Sequence, residues 1–271
     1  MKALMVVKTF VVALVMALAL TSVVLPAASA AEAEGVSYTL LEWIRTTPSR
    51  TFAQYIDTGV YPDVGIETHF VFKREENCPE QRFFGVQYWG NVGSQVYYSF
   101  NFGPDWGTTM LGMLYFKSQV FSSRQGFAGL NVKEKTTIDF SDELYLNGVS
   151  VWTNNFENVD FSGSQHQHLR IGSDTNDSKT QITVYECRIS KGGVDLCDLW
   201  PCKKVDAGGN EWYGVYDFAN QKFIGNSAAP NDVTKTYVGG PADEKFKIKY
   251  RKSSGRYERV PVTKGFCVMI F

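Results

Sequence analysis

The sequence predicts an all-β fold, a two-sheet antiparallel sandwich. Three observations predict it. Apolar and polar residues alternate with a period of two in many short runs, as expected for strands buried on one face. The runs are broken by turn pairs at Asn147-Gly148, Gly192-Gly193 and Gly208-Gly209. No helical periodicity persists beyond about two turns.

The elements follow in order. In IETHFVFK, Ile66, Thr68, Phe70 and Phe72 share one face, and Glu67, His69, Val71 and Lys73 share the other. In SQVYYSFNF, Val96, Tyr98, Phe100 and Phe102 alternate with Gln95, Tyr97, Ser99 and Asn101. Further strands are expected at 82–88, 112–116, 136–140, 143–146, 168–171, 183–189 and 213–217. After Gly239-Gly240-Pro241 the composition turns basic. KFKIKYRKSSGRYERVPV alternates around an SSG turn and predicts a C-terminal β-hairpin extension. The closing GFCVMIF is apolar and should pack against something, since an exposed apolar patch is costly.

Bulk properties bound the rest. The chain has 271 residues and a formal net charge of -1, which argues against nucleic acid as a partner. A 14% aromatic content supports a sizeable core and excludes general disorder. At the N-terminus, Lys2 and Lys8 precede an uncharged apolar run over 9–25, and Ala28 and Ala30 give a small-x-small cleavage pattern. Residues 1–30 are therefore expected to be a signal peptide, with 31–37 a spacer. The rival reading, an uncleaved anchor, fits less well because the run ends in Pro and small residues. No later stretch is apolar enough to span a bilayer as a helix, so a secreted, periplasmic or cell-surface location is expected. Five cysteines, Cys78, Cys187, Cys197, Cys202 and Cys267, leave at least one thiol unpaired within a monomer. Cys197 and Cys202 are close in sequence, but pairing requires the right Cα separation. Cys187 reads as a buried small hydrophobe. The absence of a CxxC pair argues against structural zinc.

Some stretches are familiar. QYIDTG, at 54–59, resembles the opening strand of bacterial laminin G-like and concanavalin A-like jelly-roll domains. Downstream, CRISKGGVDLCDLWPCKK and GVYDFANQKFIGNS resemble the closing part of that family's sandwich. Asp198, Pro201, Gly214, Tyr216, Asp217, Asn220, Phe223 and Asn226 match its pattern. ELYLNG is similar to a strand-turn of such domains. The likeness covers about Tyr38 to Gly240. It implies a jelly-roll sandwich over 38–240 with 241–271 as an extension, and it is nearly silent on function. It also implies that the first and last strands lie together, with Ile56 inward and with Asp57, Thr58, Gly59, Asp217 and Asn220 as closure devices.

Asp139, Asp142 and Glu143 in DFSDEL lack the spacing of a glycosidase carboxylate pair, and no G-x-S-x-G is present. His69, His166 and His168 have no Ser or Cys neighbour suited to a triad. The loop SDTNDS offers Asp174, Asn176 and Asp177 as oxygen ligands for Ca²⁺, an ion that laminin G-like domains often bind at loops. The aromatic load carries the functional expectation. Flat rings complement sugar C–H faces, and amides bind hydroxyls. Gln87, Trp89, Gln95, Tyr97, Asn101 and Trp106 form the expected carbohydrate platform. The expected function is non-catalytic binding of carbohydrate or a surface polymer. The alternatives are a protein-adhesion or structural module and, less favoured, a polysaccharide-degrading enzyme.

Overall fold

Period-two alternation becomes a chain of short antiparallel strands. The computed structural model describes residues 35–47, 53–75, 82–88, 96–102, 110–116, 119–120, 125–127, 134–153, 167–173 and 180–263. In chain order the strands begin with β1 (Ser37–Leu40), β2 (Ile44–Arg45), β3 (Ile56–Asp57), β4 (Ile66–Arg74), β5 (Arg82–Tyr88) and β6 (Val96–Phe102). Next come β7 (Met110–Phe116), β8 (Gln119–Val120), β9 (Gln125–Phe127), β10 (Thr136–Phe140), β11 (Glu143–Leu146), β12 (Val149–Thr153) and β13 (Arg170–Ile171). The last are β14 (Ile182–Lys191), β15 (Val194–Val205), β16 (Glu211–Asp217), β17 (Lys222–Ile224), β18 (Val238–Gly239), β19 (Phe246–Arg251) and β20 (Arg256–Pro261).

The larger sheet runs β12-β11-β10-β4-β14-β15-β16-β17, with β1 beside β15 and β2 between β14 and β18. The smaller runs β3-β13-β5-β6-β7-β8, with β9 also beside β7. Their facing sides make the core. Phe70 and Phe72 of β4 stack at 5.0 Å and reach the other sheet, Phe72 to Phe83 at 4.7 Å and Phe70 to Phe84 at 5.5 Å. Ile138, Leu144, Val184, Ile189 and Leu199 extend this cluster along the larger sheet, and Ile56 and Ile171 extend it along the smaller. Asn147 and Gly148 both take positive φ, at 51° and 78°, which the two-residue turn between β11 and β12 requires.

The two ends of the sandwich meet through β2 and not through the first strand, β1, which pairs with β15. β2 pairs with β18, so an early strand meets the last strand of the larger sheet. Ile56 is fully buried. Asp57 Oδ1 accepts from the Gly59 amide at 2.9 Å, and Thr58 Oγ1 donates to the Leu169 carbonyl at 2.7 Å. Asp217 Oδ1 accepts from the amides of Asp198 and Ala219 at 3.1 Å and of Asn220 at 3.2 Å.

One expectation needs correction. QYIDTG does not open the sandwich, because β1 and β2 precede it and only Ile56 and Asp57 enter a strand. The reason is Gln54. Its buried side chain takes the Thr47 amide on Oε1 and donates to the carbonyls of Lys235 at 3.0 Å and Thr236 at 2.8 Å. It thus staples two loops where a strand would need only backbone pairing. Asn226 is a second staple, donating to the carbonyls of Ala53 at 3.2 Å and Lys235 at 3.1 Å.

The basic C-terminal segment is a hairpin, β19–β20, as its alternation predicts. Phe246, Ile248 and Tyr257 pack on Tyr38, Leu40, Trp200, Cys202, Tyr216 and Phe218. These last residues lie on the outer face of the larger sheet, away from the sandwich core. Arg259 sits with its guanidinium carbon 3.5 Å from the Trp200 ring centre and 4.5 Å from that of Phe246. A cation held between two rings in this way contributes about 1–2 kcal/mol. Residues 1–34 and 264–271 lie outside the described residues.

Cys187, Cys197 and Cys202 are buried free thiols. Cys197 belongs to the sandwich core and Cys202 to the cluster under the hairpin, so the two face opposite sides of β15 and do not pair. Cys78 and Cys267 lie outside the described residues.

Truncation of Phe72 to Ala removes the ring that bridges the sheets. It is expected to cost about 3–5 kcal/mol, read as a lower urea midpoint with unchanged slope.

Candidate functional site

The expected carbohydrate platform is described only in part. Gln87 lies in β5, and Tyr97 and Asn101 lie in β6. Gln87 and Tyr97 are direct register partners, and Asn101 pairs with Arg82 beyond a bulge. Two adjacent strands of the smaller sheet therefore carry three of the six residues. Trp89, Gln95 and Trp106 lie outside the described residues, as do Asp174, Asn176 and Asp177 of the calcium loop.

A different aromatic site appears on the larger sheet. Alternation along β16 puts Trp212, Gly214 and Tyr216 on its outer face, and the register sets Trp212 opposite Lys204 and Tyr216 opposite Phe223. A Cβ on Gly214 would lie 2.9 Å from Phe223 Cζ and 2.2 Å from the Ile224 carbonyl oxygen. Only glycine therefore lets the Phe223 ring and the β17 backbone settle here. The hairpin covers Tyr216 and stops short of Trp212. Beside Trp212 a cleft of about 430 Å³ opens, lined also by Lys204, Asp206, Phe223, Ser227 and Asn231.

The Trp212 ring is fixed from the side. Its Nε1–H donates to Asp206 Oδ2 at 3.0 Å. The other oxygen of Asp206 accepts from the amides of Gly208 and Asn210, each at 2.9 Å. The Trp212 bond, the Asn210 side chain and these amides hold the Asp206 carboxyl down to about 2. Asp206 is therefore ionised throughout the physiological range, and the indole keeps one orientation. An aromatic half-exposed in a cleft, already oriented, loses little entropy when a flat apolar face stacks on it.

A second cavity, about 220 Å³, opens on the same outer face between β4, β10, β11 and β14. His69 Nδ1 lies 2.5 Å from Asp139 Oδ1, and Nε2 lies 3.4 Å from Glu186 Oε1. Both ring nitrogens face carboxylates. The His69 pKa is raised, Glu186 being the largest cause although Asp139 is nearer. The Asp139 side chain is 46% exposed against 28% for Glu186, so water screens it more. Glu186 is lowered in turn, first by its bond to His69. With both ring nitrogens bonded to carboxylates, His69 has no free ring nitrogen to act as a general base. Glu143, which lines the cavity with Asp139, accepts from the Tyr145 hydroxyl. His168 likewise bonds Asp57, at 2.9 Å, and serves the closure. Among the described residues no group of three or more His, Cys, Asp or Glu side chains is arranged for a metal ion, and no helix is long and apolar enough to cross a membrane.

Trp212, Asp206 and the His69 pairings escape the sequence reading for different reasons. Asp206 to Trp212 is a local unit, DAGGNEW, and its turn chemistry was open to inspection. The partners of His69 are 70 and 117 residues away and share no motif with it. Compared with known proteins, the chain matches no family model and no curated protein.

The His69 cluster predicts a pH signature. The raised His69 contributes stability that is full below its ordinary value of 6.5 and is lost as pH rises through the folded value. The lowered Glu186 contributes stability that is full above its ordinary value of 4.5 and is lost as pH falls through the folded value. The stability difference between the native chain and His69→Gln should therefore be largest between these two ordinary values and shrink on both sides. Urea melts across a pH series check this.

Proposed function

We propose that this protein is an exported, non-catalytic sandwich of the concanavalin A-like kind that binds carbohydrate. The observation that carries the reading is the cleft beside Trp212. It joins an oriented indole, a second ring from Phe223, and polar groups from Lys204, Ser227 and Asn231. That combination suits a sugar, whose C–H face stacks on a ring while its hydroxyls bond amides and hydroxyls. The engaged state of His69, Asp139 and Glu143 supports binding without hydrolysis. Signal-like residues 1–30 support export, and the pairing of β2 with β18 supports the jelly-roll kinship.

A second reading places the sugar on the smaller sheet, where Gln87 and Tyr97 stand opposite one another in register. It commits to the same ligand class at a different address. A protein-adhesion module without a sugar site remains the competing class.

A glycan array probed with residues 31–271, with and without calcium, tests the proposal. Selective binding of neutral glycans is expected. Trp212→Ala should weaken it about tenfold, the loss of one stacking contact, with an unchanged melting temperature. Asp206→Ala should weaken it less, by freeing the ring. Loss on Tyr97→Ala but not on Trp212→Ala would move the site to the smaller sheet. Silence across the array would overturn carbohydrate binding in favour of protein adhesion.

A further inference from the structure

We propose that the outer face of the C-terminal hairpin is a docking strip for an extended anionic polysaccharide, one bearing carboxylate or sulfate groups. The observations are charge and direction. Residues 245–261 hold seven of the chain's 27 Lys and Arg but only one of its 28 Asp and Glu. Strand alternation then sorts them. Phe246, Ile248, Tyr250, Tyr257 and Arg259 are half-buried, whereas Lys245, Lys247, Lys249, Arg251, Lys252 and Arg256 are exposed. Cations spaced two residues apart along β19 recur every ~6.8 Å, the pleat repeat of an antiparallel strand.

The strip is also held in place. Aromatic packing fixes the inner face on Tyr38, Trp200 and Tyr216, and Arg256 Nη2 donates to the Ala219 carbonyl at 3.2 Å. The Gln221 side chain brackets Tyr257, accepting from its amide at 2.6 Å and donating to its carbonyl at 3.1 Å. Of the outward cations, Arg251 pairs with Glu258, the strip's one acid. A row of cations on a rigid support meets a polyanion with little ordering cost, and the contact is driven by charge and by release of counterions.

The chemistry favours a polysaccharide over other polyanions. Single-stranded nucleic acid is held by exposed rings on which bases stack, and here Phe246, Tyr250 and Tyr257 are on the inward face. A lipid surface is gripped by apolar or aromatic tips, and the tip of this hairpin is Lys252, Ser253, Ser254 and Gly255. What the strip offers is charge alone, repeated along a line. It is separate from the Trp212 cleft, so loss of either binding mode leaves the other measurable.

The full mature chain should bind polygalacturonate and dextran sulfate, with affinity falling roughly tenfold between about 50 and about 200 mM salt. Neutral dextran should not compete. The triple variant Lys247→Glu, Lys249→Glu, Lys252→Glu should lose this binding while keeping its melting temperature. Lys222→Glu, an exposed cation elsewhere on the larger sheet, should not lose it. Unaltered binding by the triple variant, or none by the native chain at low salt, would overturn the proposal. So would tighter binding to an oligonucleotide or to anionic phospholipid vesicles than to either polysaccharide.

Discussion

The structure depends on four rings. Phe70 and Phe72 from one sheet and Phe83 and Phe84 from the other interleave with ring centroids 4.7 to 6.5 Å apart. Stacked sheets are held apart by the side chains between them, and here that spacer is aromatic. Once β4 commits Phe70 and Phe72 to the inside, the pleat sends Glu67 and His69 outward. β10 and β14 follow the same register, which delivers Asp139 and Glu186 to either side of His69. The ion cluster is thus a consequence of core packing at the neighbouring residue, Phe70. Any slip of one residue would turn the same side chains into the core.

The outer face of the larger sheet does two further jobs. Over β1, β15 and β16 it is apolar and carries the hairpin, and beyond Gly214 it becomes the cleft around Trp212. Natural sandwiches usually leave such a face to water. Here it is aromatic where the hairpin packs, with Tyr38, Trp200, Tyr216 and Phe218 beneath Phe246 and Tyr257. Tyr216 shows the cost. It is buried under the hairpin, and its hydroxyl has no hydrogen-bond partner among the described residues. Burial without a partner pushes its pKa up, with the nearby Tyr38 and Tyr257 hydroxyls adding to the effect. The hairpin's packing gain must exceed that penalty of about 1–3 kcal/mol.

What could be read from the chain was whatever repeats locally. Alternation in IETHFVFK assigned the faces of β4 correctly, Asn147-Gly148 marked a turn, and SSG marked the hairpin. The closure role of Asp57, Asp217 and Asn220 was legible because short polar side chains bond backbone within a few residues. Gln54 behaves in the opposite way. A glutamine whose partners are residue 47 on one side and residues 235 and 236 on the other leaves no local trace, so the stretch looked like a regular strand. The candidate site divides the same way. Trp212 and its Asp206 clamp lie six residues apart. What made the ring a site was Phe223 resting over Gly214 and the hairpin ending where it does, and neither follows from spacing.

The meeting of β2 with β18 has a consequence in time as well as space. Ser37 pairs with Val205, Ile44 with Val184 and Gly239, and Ile56 with Ile171. Each of the first three strands therefore waits for a partner made more than a hundred residues later. Loops of that length must close before any of these contacts forms, which slows folding. A chain still being synthesised would hold its first strands unpaired until most of its length had emerged. For this architecture, the opening strands join their sheets only after β13, β14 and β15 have been made.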